Sequence, residues 1–170
     1  MKKIICAVLL TAILGCNQEP KTVAASGTST DAKALYEKNL AVLQSGITAF
    51  EKEDINTWAA TIADSAKWNS PMYGAPEGKK EDWKNALASY MADWDNLKLE
   101  SANFLPGIDS ATHEPDGSVR YYGIWTGNHK SGVKTSLKFY GTYDFNKDGK
   151  VVFGDEYFDL GGVMNAVKPK

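Results

Sequence analysis

VRYYGIWTGNHKSGVKTSLKFYGTYDFNKDGKVVFGDEYFD, residues 119–159, decides the fold. Three runs within it, Val119–His129, Lys134–Phe145 and Lys150–Asp159, are rich in Val, Tyr, Phe and Thr. They alternate along the chain with the period of half-buried strands. Ser131-Gly132 and Asp148-Gly149 punctuate them as hairpin turns, and Asp116-Gly117 does the same ahead of the first run. An antiparallel meander is expected, preceded by a strand that starts near Leu97.

Upstream the period changes. Tyr36, Leu40, Leu43, Ile47 and Phe50 recur at alternating spacings of four and three, the apolar stripe of an amphipathic helix that Thr30 or Asp31 can cap. Gly46 within it marks either an interruption or a close approach to another backbone. A short helix follows from about Asp54, with Ile55, Trp58, Ala59 and Ile62 on one face. Lys67–Ser70 reads as a short extended piece ended by Pro71, and residues 71–79 as a loop. A third helix is expected from Lys80 to Asn96, carrying Trp83, Leu87, Tyr90, Met91 and Trp94. Helices first and an antiparallel meander after them define an α+β chain rather than a parallel α/β one.

The N-terminus has a different character. Met1-Lys2-Lys3 precedes a mostly apolar run, Ile4–Leu14, and then Gly15-Cys16. Basic start, short apolar core and small residue describe a secretory leader, too short to span a bilayer permanently. Ending in Leu-Gly-Cys, it resembles a bacterial lipobox. That resemblance implies removal of residues 1–15 and lipidation of Cys16, with membrane attachment through the lipid alone. The expected location is the bacterial cell envelope, and Asn17 in place of Asp points to the outer membrane. Residues 16–31 then form the lipidated cysteine and a small, polar, flexible tether.

Cys6 leaves with the leader and Cys16 carries the lipid, so the body has no thiol for nucleophilic catalysis, metal binding or a disulfide. Lys2 and Lys3 also leave, which takes the basic residues from 19 to 17 against 21 acidic ones and the net charge from −2 to −4. An acidic body without a basic stripe excludes nucleic acid as the expected partner.

The order helix, short helix, short strand, helix, long antiparallel strands resembles the SnoaL-like branch of the nuclear transport factor 2-like superfamily. The residues that carry the resemblance are Ile47-Thr-Ala-Phe-Glu-Lys-Glu-Asp54 running into Trp58, and Ala63-Asp-Ser-Ala-Lys-Trp68. Gly123-Ile-Trp-Thr-Gly127 and Tyr157-Phe-Asp159 leading to Gly162-Val-Met164 complete it. The resemblance implies a cone-shaped α+β barrel over residues 32–166, with 167–170 as a tail. It implies an apolar pocket at the open end and homodimers through the outer sheet face. The superfamily includes ketosteroid isomerases, polyketide cyclases, dehydratases and non-catalytic binding modules, so the fold alone selects no function.

Where ketosteroid isomerase-like members place an Asp base before a Pro, this chain reads Trp68-Asn69-Ser70-Pro71, and neither Asn69 nor Ser70 is a base at neutral pH. Other candidates remain. His113 sits among turn residues. His129 shares a strand face with Trp125 and Gly127. Asp155, Tyr157 and Asp159 share a face of the last strand, with Asp159 also placed to cap the turn through Gly161-Gly162 and Asp155 able to pair with Lys138. The spacing of Asp144, Asn146, Asp148 and Gly149 matches the start of a calcium loop, but Asp155 replaces the bidentate Glu and a hairpin turn explains the same residues. No metal site or cofactor is expected. Trp58, Trp68, Trp83, Trp125, Tyr140 and Tyr157 are the candidate lining of a pocket for a small apolar molecule. Three readings stay open. The first is a small-molecule binding module. The second is an isomerase, cyclase or dehydratase using His129 or Asp155 as base and Tyr157 or Tyr140 as donor. The third is an envelope scaffold.

Overall fold

The computed structural model describes residues 29–169. The expected leader, Cys16 and nearly all of the expected tether lie outside the described residues. Among those described, no helix is long and apolar enough to cross a membrane.

The element order is α1 (Ser29–Glu51), α2 (Ile55–Ala60), β1 (Ile62–Asn69), β2 (Gly78–Lys79), α3 (Lys80–Asp93), β3 (Trp94–Ile108), β4 (Pro115–His129), β5 (Lys134–Phe145), β6 (Val151–Tyr157) and α4 (Leu160–Ala166). One curled sheet runs β2-β1-β6-β5-β4-β3. It is antiparallel except where β1 lies parallel to β6, with Trp68 opposite Gly154. The result is the expected α+β cone, with α1, α2 and α3 on its concave side.

Local chemistry sets the element ends. Asp54 caps α2 by accepting the Thr57 N–H at 2.9 Å, and Asp159 caps α4 by accepting the Gly162 N–H at 2.7 Å. Glu51 closes α1 against β3, accepting the Leu99 N–H at 2.9 Å and the Lys98 ammonium at 3.2 Å. Asn39, buried in α1, donates to the Gly117 carbonyl at 2.8 Å and so ties the helix to β4. A Cβ at Gly46 would stand 3.1 Å from the Thr61 hydroxyl, so this glycine serves a close approach, to side chains of the α2 end rather than to backbone.

β3 is bulged twice, at Asn96 and Ser101, both at positive φ (56° and 51°). Bulges bend a strand and add twist, which curls this edge around the helices.

Several boundaries differ from expectation. α3 stops at Asp93 and the strand starts at Trp94, not Leu97. Lys67–Asn69 is only the end of an eight-residue strand, β1, Ser70 lies outside it, and the loop 71–79 ends in β2. The β3–β4 turn is Asp109–Glu114, not Asp116-Gly117. The Asp109 carboxylate gathers the Ala111 and Thr112 N–H groups, and Glu114 returns a carbonyl to the Asp109 N–H. Asp116-Gly117 instead lies inside β4. Residues after Asp159 form α4, and Val167, the first residue of the expected tail, is buried at its end.

Candidate functional site

The concave face of the sheet carries a column of stacked rings. Trp68 lies on Trp83 with centroids 5.9 Å apart and planes 2° from parallel. Trp83 lies on Tyr143 at 6.1 Å, Tyr143 on Tyr121 at 5.9 Å and Tyr121 on Phe139 at 5.0 Å. Trp58 meets Trp83 edge-on at 5.2 Å. Two strand glycines leave room for it. A Cβ at Gly154 would stand 2.3 Å from the Trp83 ring, and one at Gly141 2.6 Å from the Tyr143 hydroxyl.

Glu156 sits at the polar centre of this wall. It faces inward from β6 in register with Gly141, which in turn is opposite Tyr121. Its side chain is buried. One carboxylate oxygen accepts the Trp68 indole N–H and the other the Tyr143 hydroxyl, each at 3.1 Å. Burial pushes its carboxyl up to about 7, against the pull of these two donors. The indole N–H of Trp83 adds a weaker pull toward the charged form but reaches no hydrogen-bond geometry and has no other partner. Burial, with the Glu156 charge second, pushes Tyr90 up to about 12. Burial also raises Tyr121 and, furthest, Tyr143 above the ordinary tyrosine value.

Glu156 opens on a cavity of about 120 Å³ between the sheet and the helices. Trp58, Trp83 and Trp125 line it with Leu43, Ile47 and Phe50 of α1, and hydroxyls of tyrosines (Tyr90, Tyr121, Tyr143) and threonines (Thr61, Thr126, Thr135) face it beside Glu156. An engineered apolar cavity of roughly 150 Å³ accepts benzene, so this space suits a molecule of about one ring.

The other sequence candidates lie elsewhere. Trp68 is in the ring column and holds Glu156 but does not line the cavity. His129 is buried on the inner side, against Trp94 with centroids 4.4 Å apart, and does not line the cavity. Its Nδ1 accepts the Ser131 N–H at 3.0 Å, so the ring is fixed in a turn. Asp155, Tyr157 and Tyr140 are on the convex face. Tyr157 is half exposed, donates to Asp155 at 2.7 Å and leans on Tyr140. The base and donor expected there therefore point away from the cone. His113 is exposed in the β3–β4 turn, at positive φ (61°). The Asn146 side-chain oxygen accepts the Asp148 and Lys150 N–H groups, so Asn146–Gly149 form the hairpin turn that the sequence favours. Among the described residues, no group of three or more His, Cys, Asp or Glu is placed to hold a metal ion.

Sequence reading missed Glu156 because of a bulge. Phe145 pairs with Val151 and Asp144 with Phe153, so Val152 is an extra residue in β6. Strict alternation from buried Val151 leads inward to Phe153, Asp155 and Tyr157. The bulge resets the phase, and Gly154 and Glu156 face the core instead. The signal available was the run Gly154-Asp155-Glu156, with acids of both phases beside a small residue.

No family model and no curated protein sequence matches the chain. Solved structures do. A proposed polyketide cyclase from Xanthomonas campestris pv. campestris superposes with a TM-score of 0.63 at 14% identity, covering 79% of this chain and 99% of that one. A proposed isomerase from Bacillus subtilis gives 0.64 at 17% identity, covering 78% and 94%. An NTF2-like protein of unknown function from Burkholderia pseudomallei gives 0.62 at 16%, covering 78% and 98%. The chain thus has the NTF2-like fold, a cone-shaped α+β barrel.

Proposed function

We propose that this domain is a receptor for a small, flat, largely apolar molecule, held in the cone with one polar group against Glu156. The observation that carries the reading is the one-ring cavity with a single buried carboxylate on its aromatic wall. Tryptophan emission reports on it directly, since Trp58, Trp83 and Trp125 line the space. Titration with single-ring compounds such as indole, phenol and benzyl alcohol should give saturable quenching. Emission unchanged by all of them would remove the receptor reading.

A second reading rests on the acidity of Glu156. A carboxyl brought near neutrality can accept and return a proton at physiological pH, the property of a general acid–base catalyst. The cyclase and isomerase assignments of the two structural neighbours agree with that chemistry. Incorporation of deuterium from D2O into cyclohexanone, present for the native chain and lost in Glu156→Gln, would favour catalysis. Equal incorporation in both would leave binding alone.

The receptor is proposed to hang from the bacterial envelope through lipidated Cys16, at the outer membrane, on the strength of the lipobox-like leader. Labelling with an alkynyl fatty acid should mark the native chain and not Cys16→Ala. Exposed Tyr122, Ile124 and Tyr157 on the convex face support the homodimer, which sedimentation should show weakened by Ile124→Lys.

A further inference from the structure

The polar surroundings of Glu156 are built for a carboxylate, yet they contain no positive charge. Its two oxygens meet an indole N–H and a phenol. The nearby Trp83 indole is a further N–H with no acceptor. An indole only donates, so the proton of a neutral carboxyl finds no acceptor on the Trp68 side. The ion pairs among the described residues join Lys33, Lys67, Lys80, Lys98 and Lys130 to other acids, and none includes Glu156. A carboxylate has about four acceptor positions, and the protein fills two of them. The remainder face the cavity, whose other polar groups are hydroxyls and neutral indole N–H groups, none of them charged.

What is missing is a cation with N–H donors. We infer that the ligand of this cone is a small organic amine, an ammonium group on a one-ring apolar body, with the ammonium paired to Glu156 and the ring in the aromatic cavity. The inference rests on the receptor reading above and narrows it to a class. Binding would complete a buried ion pair that the fold leaves half made.

The pairing ties affinity to pH. The groups facing Glu156 from other elements are Tyr143 on β5, Tyr121 on β4 and Tyr90 on α3, all held neutral through the physiological range by burial. Asp155, its neighbour on β6, points to the convex side and adds a small repulsion. Glu156 is therefore the group whose charge changes between pH 6 and 8, while a benzylammonium ion keeps its charge.

The test is a calorimetric titration of the purified full chain with benzylamine and with its neutral counterpart, benzyl alcohol, from pH 6 to 8. The amine should bind about ten-fold more tightly at pH 8 than at pH 6, following the ionised fraction of one carboxyl, with the alcohol showing no such rise. In Glu156→Gln the ratio of amine to alcohol affinity should fall below one, because the ammonium would be buried without its counter-charge. Alcohol binding as tight as amine binding at pH 8 overturns the amine class and leaves the receptor reading standing. Binding of neither probe overturns both. The native pH profile decides the matter even if the variant folds poorly.

Discussion

β6 shows two carboxylates to two different media. Asp155, on the convex side, takes a hydrogen bond from the Tyr157 phenol at 2.7 Å. Glu156, one residue on, takes one from the Tyr143 phenol at 3.1 Å, with an indole added. The partners are alike; the surroundings are not. On the open side the hydrogen bond itself is the main cause that raises the Tyr157 phenol. On the closed side desolvation outweighs two donors and lifts the acid to about 7. The pair teaches that two donors do not set the acidity of Glu156; loss of water does.

The largest expected effect lies in the wall that excludes that water. Trp83 is almost wholly buried and touches Trp58, Trp68 and Tyr143. Trp83→Ala should cost about 3–5 kcal/mol in a urea melt and return Glu156 toward the ordinary carboxyl range. A Glu156 that stays near 7 without Trp83 would break the desolvation account.

Next in size is the pH dependence of stability. The folded-state pKa of Glu156, about 7, stands above its ordinary 4.5, so on raising pH the unfolded chain loses this proton first. Stability from this group is full below pH 4.5, falls by about 3 kcal/mol on the way to pH 7, and is level above that. Urea midpoints should show the decline in the native chain, and Glu156→Gln should lack that component.

Smaller again is Gly154→Ala, which places a methyl inside contact distance of the Trp83 ring and should cost about 1–3 kcal/mol by overpacking. The convex counterpart, Tyr157→Phe, removes only an exposed hydrogen bond and should change the midpoint by less than about 0.5 kcal/mol. If those two costs came out equal, the contrast between the faces would lose its basis.

The same contrast explains what could be read from the chain. Strands and helices carrying one clean period were legible: the α1 stripe from Tyr36 to Phe50, and β4 with Tyr121, Trp125 and His129 on its inner face. Trp58, Trp83 and Trp125, large aromatics on such stripes, line the cavity. The phase of β6 was hidden because one bulge at Val152 exchanges its faces and both phases carry acids. The turn before β4 is ambiguous in the sequence because Asp109–Glu114 and Asp116-Gly117 both hold turn chemistry. Pairing of Ile108 with Pro115, a tertiary fact, chooses between them. The parallel β1–β6 pair has no local signature at all.

The most direct test is the ionisation of Glu156 itself, followed through the side-chain carboxyl carbon in a chain labelled at glutamate with carbon-13, with Glu156→Gln to assign the signal. One resonance with a midpoint near 7, absent from the variant, is the predicted result. A Glu156 midpoint in the ordinary range near 4.5 would mean that the concave face is open to water, and would contradict the account.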